Sequence, residues 1–99
     1  MSQCAIYRLR EVGDLVCRVQ ADLGVETPYI LCAPVVLRSD WGALVPKLHL
    51  EVAVGDAACV VLMSQLVALP RTELGTVVGD ALHRRDDMVA AVDLIVSGF

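Results

Sequence analysis

The stretch KLHLEVAVGDAACVVLM, residues 47–63, decides the fold class. Leu48, Leu50, Val52 and Val54 alternate with Lys47, His49, Glu51 and Ala53. That period of two belongs to a strand with one face buried. Gly55-Asp56 is a two-residue turn signal, and AACVVLM returns as the partner strand of a hairpin. Upstream, DLVCRVQA (14–21) alternates in the same way: Leu15, Cys17, Val19 and Ala21 point one way, Val16, Arg18 and Gln20 the other. Gly13-Asp14 suits a turn, which would join this strand to a weaker one in CAIYRLR (4–10). YILCAPVVLR (29–38) is apolar on both faces, hence central or interface-facing, with Pro34 expected to force a bulge or an edge. LGVETP (23–28) reads as a loop. SDWGALVP (39–46) is a connection in which Ser39 or Asp40 caps one helical turn before Pro46 stops it.

Downstream, SQLVALPRTELG (64–75) holds a short strand, and TVVGDA (76–81) is a short strand or a turn. From His83 the period changes. Met88, Val92, Ile95 and Phe99 fall at helical spacing with Ala91 beside them. Asp86 and Asp87 sit in the first turn, where the helix dipole favours negative charge. Gly98 stands where a left-handed residue ends a helix. Several short antiparallel strands followed by one helix predict a mainly β, α+β domain over 1–99: a small barrel or rolled sheet with a C-terminal helix packed on it.

Composition narrows the function classes. The apolar fraction of 57% exceeds the usual share of about 45–50%, more than one small chain hides, so a homodimer is expected. The net charge is −4, and the one basic doublet, Arg84-Arg85, is followed at once by Asp86-Asp87. Phosphate neutralisation drives nucleic-acid binding. A protein partner is therefore expected rather than direct contact with nucleic acid, and the doublet is expected to face water. The opening MSQCAIYRLREVGD has no basic leader before a long apolar stretch, and the longest apolar run, Tyr29 to Leu37, is too short to span a bilayer. No membrane association and a cytoplasmic location are expected.

In that compartment Cys4, Cys17, Cys32 and Cys59 read as small buried hydrophobes. His49 is expected to be solvated on the polar face of its strand, and His83 to be a cap or surface residue at the start of the helix. Neither joins a Cys, Ser or carboxylate in a nucleophilic or zinc-binding pattern. Gly75 and Gly79 do not have phosphate-loop spacing. Asp86, Asp87 and Asp93 read as a solvated helix face. No catalytic residue, metal site or cofactor is expected.

Five features now stand in one order: VQAD (19–22), VGD (54–56), LPRTELG (69–75), LHRRDD (82–87) and the ending VDLIVSGF (92–99). Together they resemble the CcdB family of toxins from bacterial toxin–antitoxin modules, over nearly the whole chain. The resemblance implies a strongly bent, SH3-like antiparallel sheet of about five or more strands with a long C-terminal helix, and a homodimer. It implies a protein that is not an enzyme. Such a toxin binds the DNA gyrase A subunit and traps gyrase on cleaved DNA. A CcdA-like antitoxin with a disordered acidic tail removes it, and toxin and antitoxin together repress their own operon. The gyrase-binding positions implied here are Val96, Ser97, Gly98 and Phe99, with Leu23 and Gly24 in the loop after VQAD. Val92, Ile95 and Phe99 are implied at the dimer interface. The family ends typically in Trp-Gly-Ile; here Ser97 stands in place of the Trp, Gly98 is kept, and Phe99 replaces one large hydrophobe by another.

Three readings stay open. The first is a gyrase poison. The second is a homologue that folds, dimerises and binds antitoxin but leaves gyrase alone, because Ser97 lacks the aromatic surface that anchors interfaces. The third is a MazF-type ribonuclease toxin built on a related barrel, whose candidate residues would be Arg18, Arg38, Arg71 and Thr72.

Overall fold

A computed structural model describes residues 2–98. The chain runs β1 (Ala5–Leu9), β2 (Leu15–Arg18), β3 (Tyr29–Leu37), β4 (His49–Val54), β5 (Ala57–Leu62), β6 (Val67–Pro70), β7 (Leu74–Asp80) and α1 (Arg85–Ser97). Short 3₁₀ turns occupy Arg38–Asp40, Met63–Gln65, Arg71–Glu73 and Leu82–Arg84. The strands form one curled antiparallel sheet in the order β4-β5-β3-β2-β1-β7, with β6 paired to β3. This is the mainly β architecture with one C-terminal helix that the sequence predicts.

The two predicted hairpins form. Val54 pairs with Ala57 across Gly55-Asp56, and Gly55 takes φ +60° at the first central position. A positive φ there is what a type II′ turn needs, and glycine takes it without a Cβ clash. On β4, Leu50 and Val52 are buried while Glu51 and Ala53 are exposed, as the alternation predicts. β1 and β2 pair from Ile6–Cys17 to Arg8–Leu15. The stretch TVVGDA resolves as most of β7, whose ladder to β1 shifts register twice. One shift lies where Gly75 meets the Arg8 carbonyl: a Cβ on Gly75 would sit 2.5 Å from that oxygen.

Pro34 causes no bulge. β2 and β3 stay in register across it, Val16 opposite Pro34. On the other flank β3 pairs with β6 from Tyr29 to Cys32 and with β5 from Val35 to Leu37. The proline thus falls where β3 changes partners, a local edge inside a central strand, which is where a residue without an N–H fits.

The sheet is covered on both faces of its curl, so both of the alternating sets that the sequence separates on β2 go inside, Cys17 and Val19 on one face and Val16 on the other. Val16 and Arg18 are 4% and 6% exposed. Cys17, Val19, Val35, Leu50, Val52, Val61 and Met63 form the core beneath α1, with Met88 and Ala91 from the helix. Ala5, Tyr7, Val16, Ile30, Cys32 and Leu74 form a second core on the opposite face. All four cysteines are buried free thiols, as predicted. Burial pushes Cys17 up to about 12 and Cys32 to about 11.

Other local readings change. The turn after β3 starts at Arg38 with Leu37 at the cap position, and neither Ser39 nor Asp40 caps it. The helix begins at Arg85, so His83 lies in the preceding 3₁₀ turn, where it is exposed. His49 is half-buried and carries bonds the sequence did not show. The Val45 N–H donates to its Nδ1 at 2.8 Å, its Nε2 lies 3.1 Å from Ser64 Oγ, and Trp41 meets it edge-on at 5.4 Å.

Candidate partner-binding site

Two segments carry the predicted site: the end of α1 and the loop between β2 and β3. The helix is tethered at its N-terminal end. Arg84 donates from Nη1 to the Glu51 carbonyl and from Nε to Asp87 Oδ2, both at 2.7 Å. Arg85 Nε donates to Gln3 Oε1 at 3.0 Å. Arg84 of the doublet is thus half-buried and ties the turn before the helix to β4, whereas Arg85 is exposed, as expected, while it bonds Gln3. Met88 and Ala91 then anchor the middle of the helix in the core.

Toward its end the helix leaves that cover. Val92 and Leu94 are half-buried, Ile95 is 46% exposed and Val96 is 79% exposed. Gly98 adopts φ +78°, and its N–H donates to the Leu94 carbonyl at 2.9 Å. This is the left-handed stop the sequence predicts. Ser97 Oγ donates back to the Asp93 carbonyl at 2.7 Å, so its one polar group is turned onto the helix rather than outward. Val96, Ser97 and Gly98 are all exposed, whereas the position of Phe99 lies outside the described residues.

The loop is held at its base and open at its tip. The Val19 and Gln20 N–H groups both donate to the Leu31 carbonyl, and the Leu31 N–H donates to Gln20 Oε1. Gln20 Nε2 donates to Thr27 Oγ1 at 2.9 Å, and Thr27 Oγ1 donates to the Tyr29 carbonyl. Between these clamps Leu23 is 60% and Val25 71% exposed, flanking Gly24 at φ +76°. An apolar tip on a hydrogen-bonded base is a surface ready to be covered. Among the described residues, no side-chain hydrogen bond or ion pair links this loop to α1. Each segment is thus set in place by the sheet separately.

The sequence reading missed Val25, although LGV is an apolar triplet in an otherwise polar loop. It also missed that Arg18 and Arg71, remote in sequence, line one cavity of about 170 Å³ with Val25, Glu26, Thr27 and Ile30. Arg38 is elsewhere, donating to the Trp41 and Gly42 carbonyls. The four residues weighed for RNA cleavage are therefore not gathered: Thr72 does not line that cavity either. No three His, Cys, Asp or Glu side chains among the described residues are grouped to hold a metal. No helix there is long and apolar enough to cross a membrane.

Comparison with known families finds one described as CcdB protein, whose model matches residues 3–98. No curated protein sequence matches the chain.

Proposed function

This chain belongs to the CcdB family, the gyrase-poison toxins of toxin–antitoxin modules, and we propose that it acts, as a homodimer in the cytoplasm, by docking on the gyrase A subunit and holding gyrase on cleaved DNA. A CcdA-like antitoxin neutralises it. The protein itself makes and breaks no bond and needs no cofactor.

One observation carries this reading. The last turn of α1 presents Val96 and part of Ile95 to solvent behind a glycine stop, an apolar end that the chain's own fold covers only in part. The exposed Leu23-Gly24-Val25 tip offers a second apolar contact. Gyrase binding falls to Val96, Ser97, Gly98 and Phe99 with Leu23 and Gly24. The dimer contact falls to Val92, Ile95 and Phe99. Ser97 brings no aromatic surface, so Phe99 and Val96 must supply most of the apolar anchoring at that end.

The test is a cleavage assay with purified gyrase, supercoiled plasmid and the toxin. Linear DNA is expected after protein denaturation, and more of it with Ser97→Trp. If only Ser97→Trp traps cleaved DNA, the native chain is a homologue that leaves gyrase alone. If neither does, gyrase is not the target. A ribonuclease would reveal itself by cutting RNA with gyrase absent.

A further inference from the structure

We propose that the cavity between the β2–β3 loop and the turn after β6 is a carboxylate site, built to take an acidic side chain of a protein partner. The proposal goes beyond the toxin reading, since it requires neither gyrase nor a dimer.

Two arginines form the walls. Arg18 is 6% exposed and rigidly held: Nε donates to the Gln20 carbonyl at 2.8 Å, Nη2 to the Ala21 carbonyl at 3.1 Å, and Nη2 lies 3.3 Å from Asp22 Oδ1. Those bonds fix a positive charge behind the cavity. Arg71 is also fixed by its backbone, its N–H donating to the Pro28 carbonyl at 2.8 Å. Its guanidinium is only partly used. Nη2 lies 3.2 Å from Glu26 Oε2, while Nε is buried without a hydrogen-bond partner. Among the described residues it is the one buried side-chain polar atom so left.

Nε–H and Nη2–H lie along one edge of a guanidinium, the edge that grips a carboxylate with two parallel bonds. Glu26 covers one of the two donors. A buried donor without an acceptor is costly, so a ligand that satisfies both gains what Glu26 forgoes. Glu26 is also easy to displace: its side chain is 78% exposed and Val25 beside it is 71% exposed. It acts as an internal stand-in for the incoming group.

Charge selects the ligand class. The charged groups around the cavity are Arg18, Arg71, Asp22 and Glu26, which balance. Exchanging Glu26 for one foreign carboxylate keeps that balance. A polyanion such as RNA would meet Asp22, Glu26 and a chain of net charge −4.

Nitrogen-detected NMR of the arginine Nε–H groups, on the full chain without gyrase, tests this. The probes are a capped peptide of alternating Gly and Glu, its Gly-Gln twin, sodium acetate and oligouridine RNA. The Gly-Glu peptide should shift the Arg71 Nε–H resonance, and the Gly-Gln twin should not. Glu26→Gln, which removes the internal competitor, should tighten peptide binding about twofold to fivefold. Arg71→Lys, which keeps the charge but loses the two-donor edge, should weaken it about tenfold. The proposal fails if the Gln twin binds equally, or if both variants stay folded and bind as the native chain does. It fails equally if acetate saturates the site at the peptide's concentration, which would make it a small-anion site, or if RNA binds in preference.

Discussion

Replacing Ile95 by alanine separates a docking face from a core face. Ile95 is 46% exposed on one copy. Full burial of an isoleucine side chain stabilises by about 1.5–3 kcal/mol, so covering its exposed part gives about 1 kcal/mol. A two-fold interface uses the residue twice, hence about 2 kcal/mol per dimer. At about 1.4 kcal/mol per decade, the dimer dissociation constant of Ile95→Ala should rise roughly thirtyfold. The fold itself should change little: the part of Ile95 already buried is lost, but alanine is the better helix former. Sedimentation equilibrium over a dilution series reads the first quantity, and urea unfolding at the lowest concentration reads the second. Val77→Ala is the control, since Val77 is 56% exposed but lies on β7, off the helix. An unchanged dimer in Ile95→Ala, or an equal loss in Val77→Ala, would refute the assignment of this end of α1 to the interface.

Three further outcomes follow from packing. Met88 is 2% exposed in the core under the helix, so Met88→Ala should cost about 2–5 kcal/mol of stability by urea unfolding and loosen α1 as a whole. Gly75→Ala should destabilise by more than about 1 kcal/mol, because its Cβ would lie 2.5 Å from the Arg8 backbone oxygen, which no side-chain rotation relieves; thermal melting checks it, and an unchanged midpoint contradicts the close approach. Cys17 and Cys32 ionise less readily in the folded chain than at the ordinary 9.0, being raised to about 12 and about 11. Their contribution is therefore complete below pH 9 and declines as pH climbs through the alkaline range toward those values. Urea midpoints should fall steadily over that range, and a thiol reagent at neutral pH should label the native chain slowly and the unfolded chain at four sites.

What was legible in the sequence follows burial geometry. The β4–β5 hairpin was plain because β4 buries one face and shows the other to solvent, so Leu50 and Val52 alternate with exposed neighbours. On β2 the same alternation separates two faces, and both are buried. The sheet curls and carries a core on each side, and Arg18 goes in by satisfying its donors on the Gln20 and Ala21 carbonyls and Asp22. Alternation of types cannot distinguish that from a wet face. Likewise β7 was ambiguous because its seven residues include two glycines, and its strand character comes from pairing with β1, seventy residues away in sequence by a rough count. The Gly98 stop, in contrast, was readable, since only a local dihedral is involved.

The candidate site divides in the same way, and the division says how such a surface is built. Its exposed members, Val96, Ser97, Leu23 and Gly24, came from resemblance alone, because no composition or period marks an apolar residue that points at nothing. Their supports were hidden for a different reason. Arg84 reaching the Glu51 carbonyl, and Gln20 joining Leu31 to Thr27, are pairings of ordinary polar residues whose partners only the fold supplies. A protein that works by docking must hold apolar groups in water without letting them collapse onto its own core. The two segments meet that demand by one means: hydrogen bonds at the base of the loop and at the root of the helix. If those bonds set the presented surface, Arg84→Gln should leave Ile95 and Val96 chemically intact yet weaken partner binding by letting α1 shift. The Glu51 carbonyl tether is the part glutamine cannot reach, being shorter than arginine. Hydrogen exchange along residues 85–97 should then quicken, with the sheet amides unchanged. Unchanged exchange in the helix would mean that Met88 and Ala91 hold it without help, and the root would be dispensable.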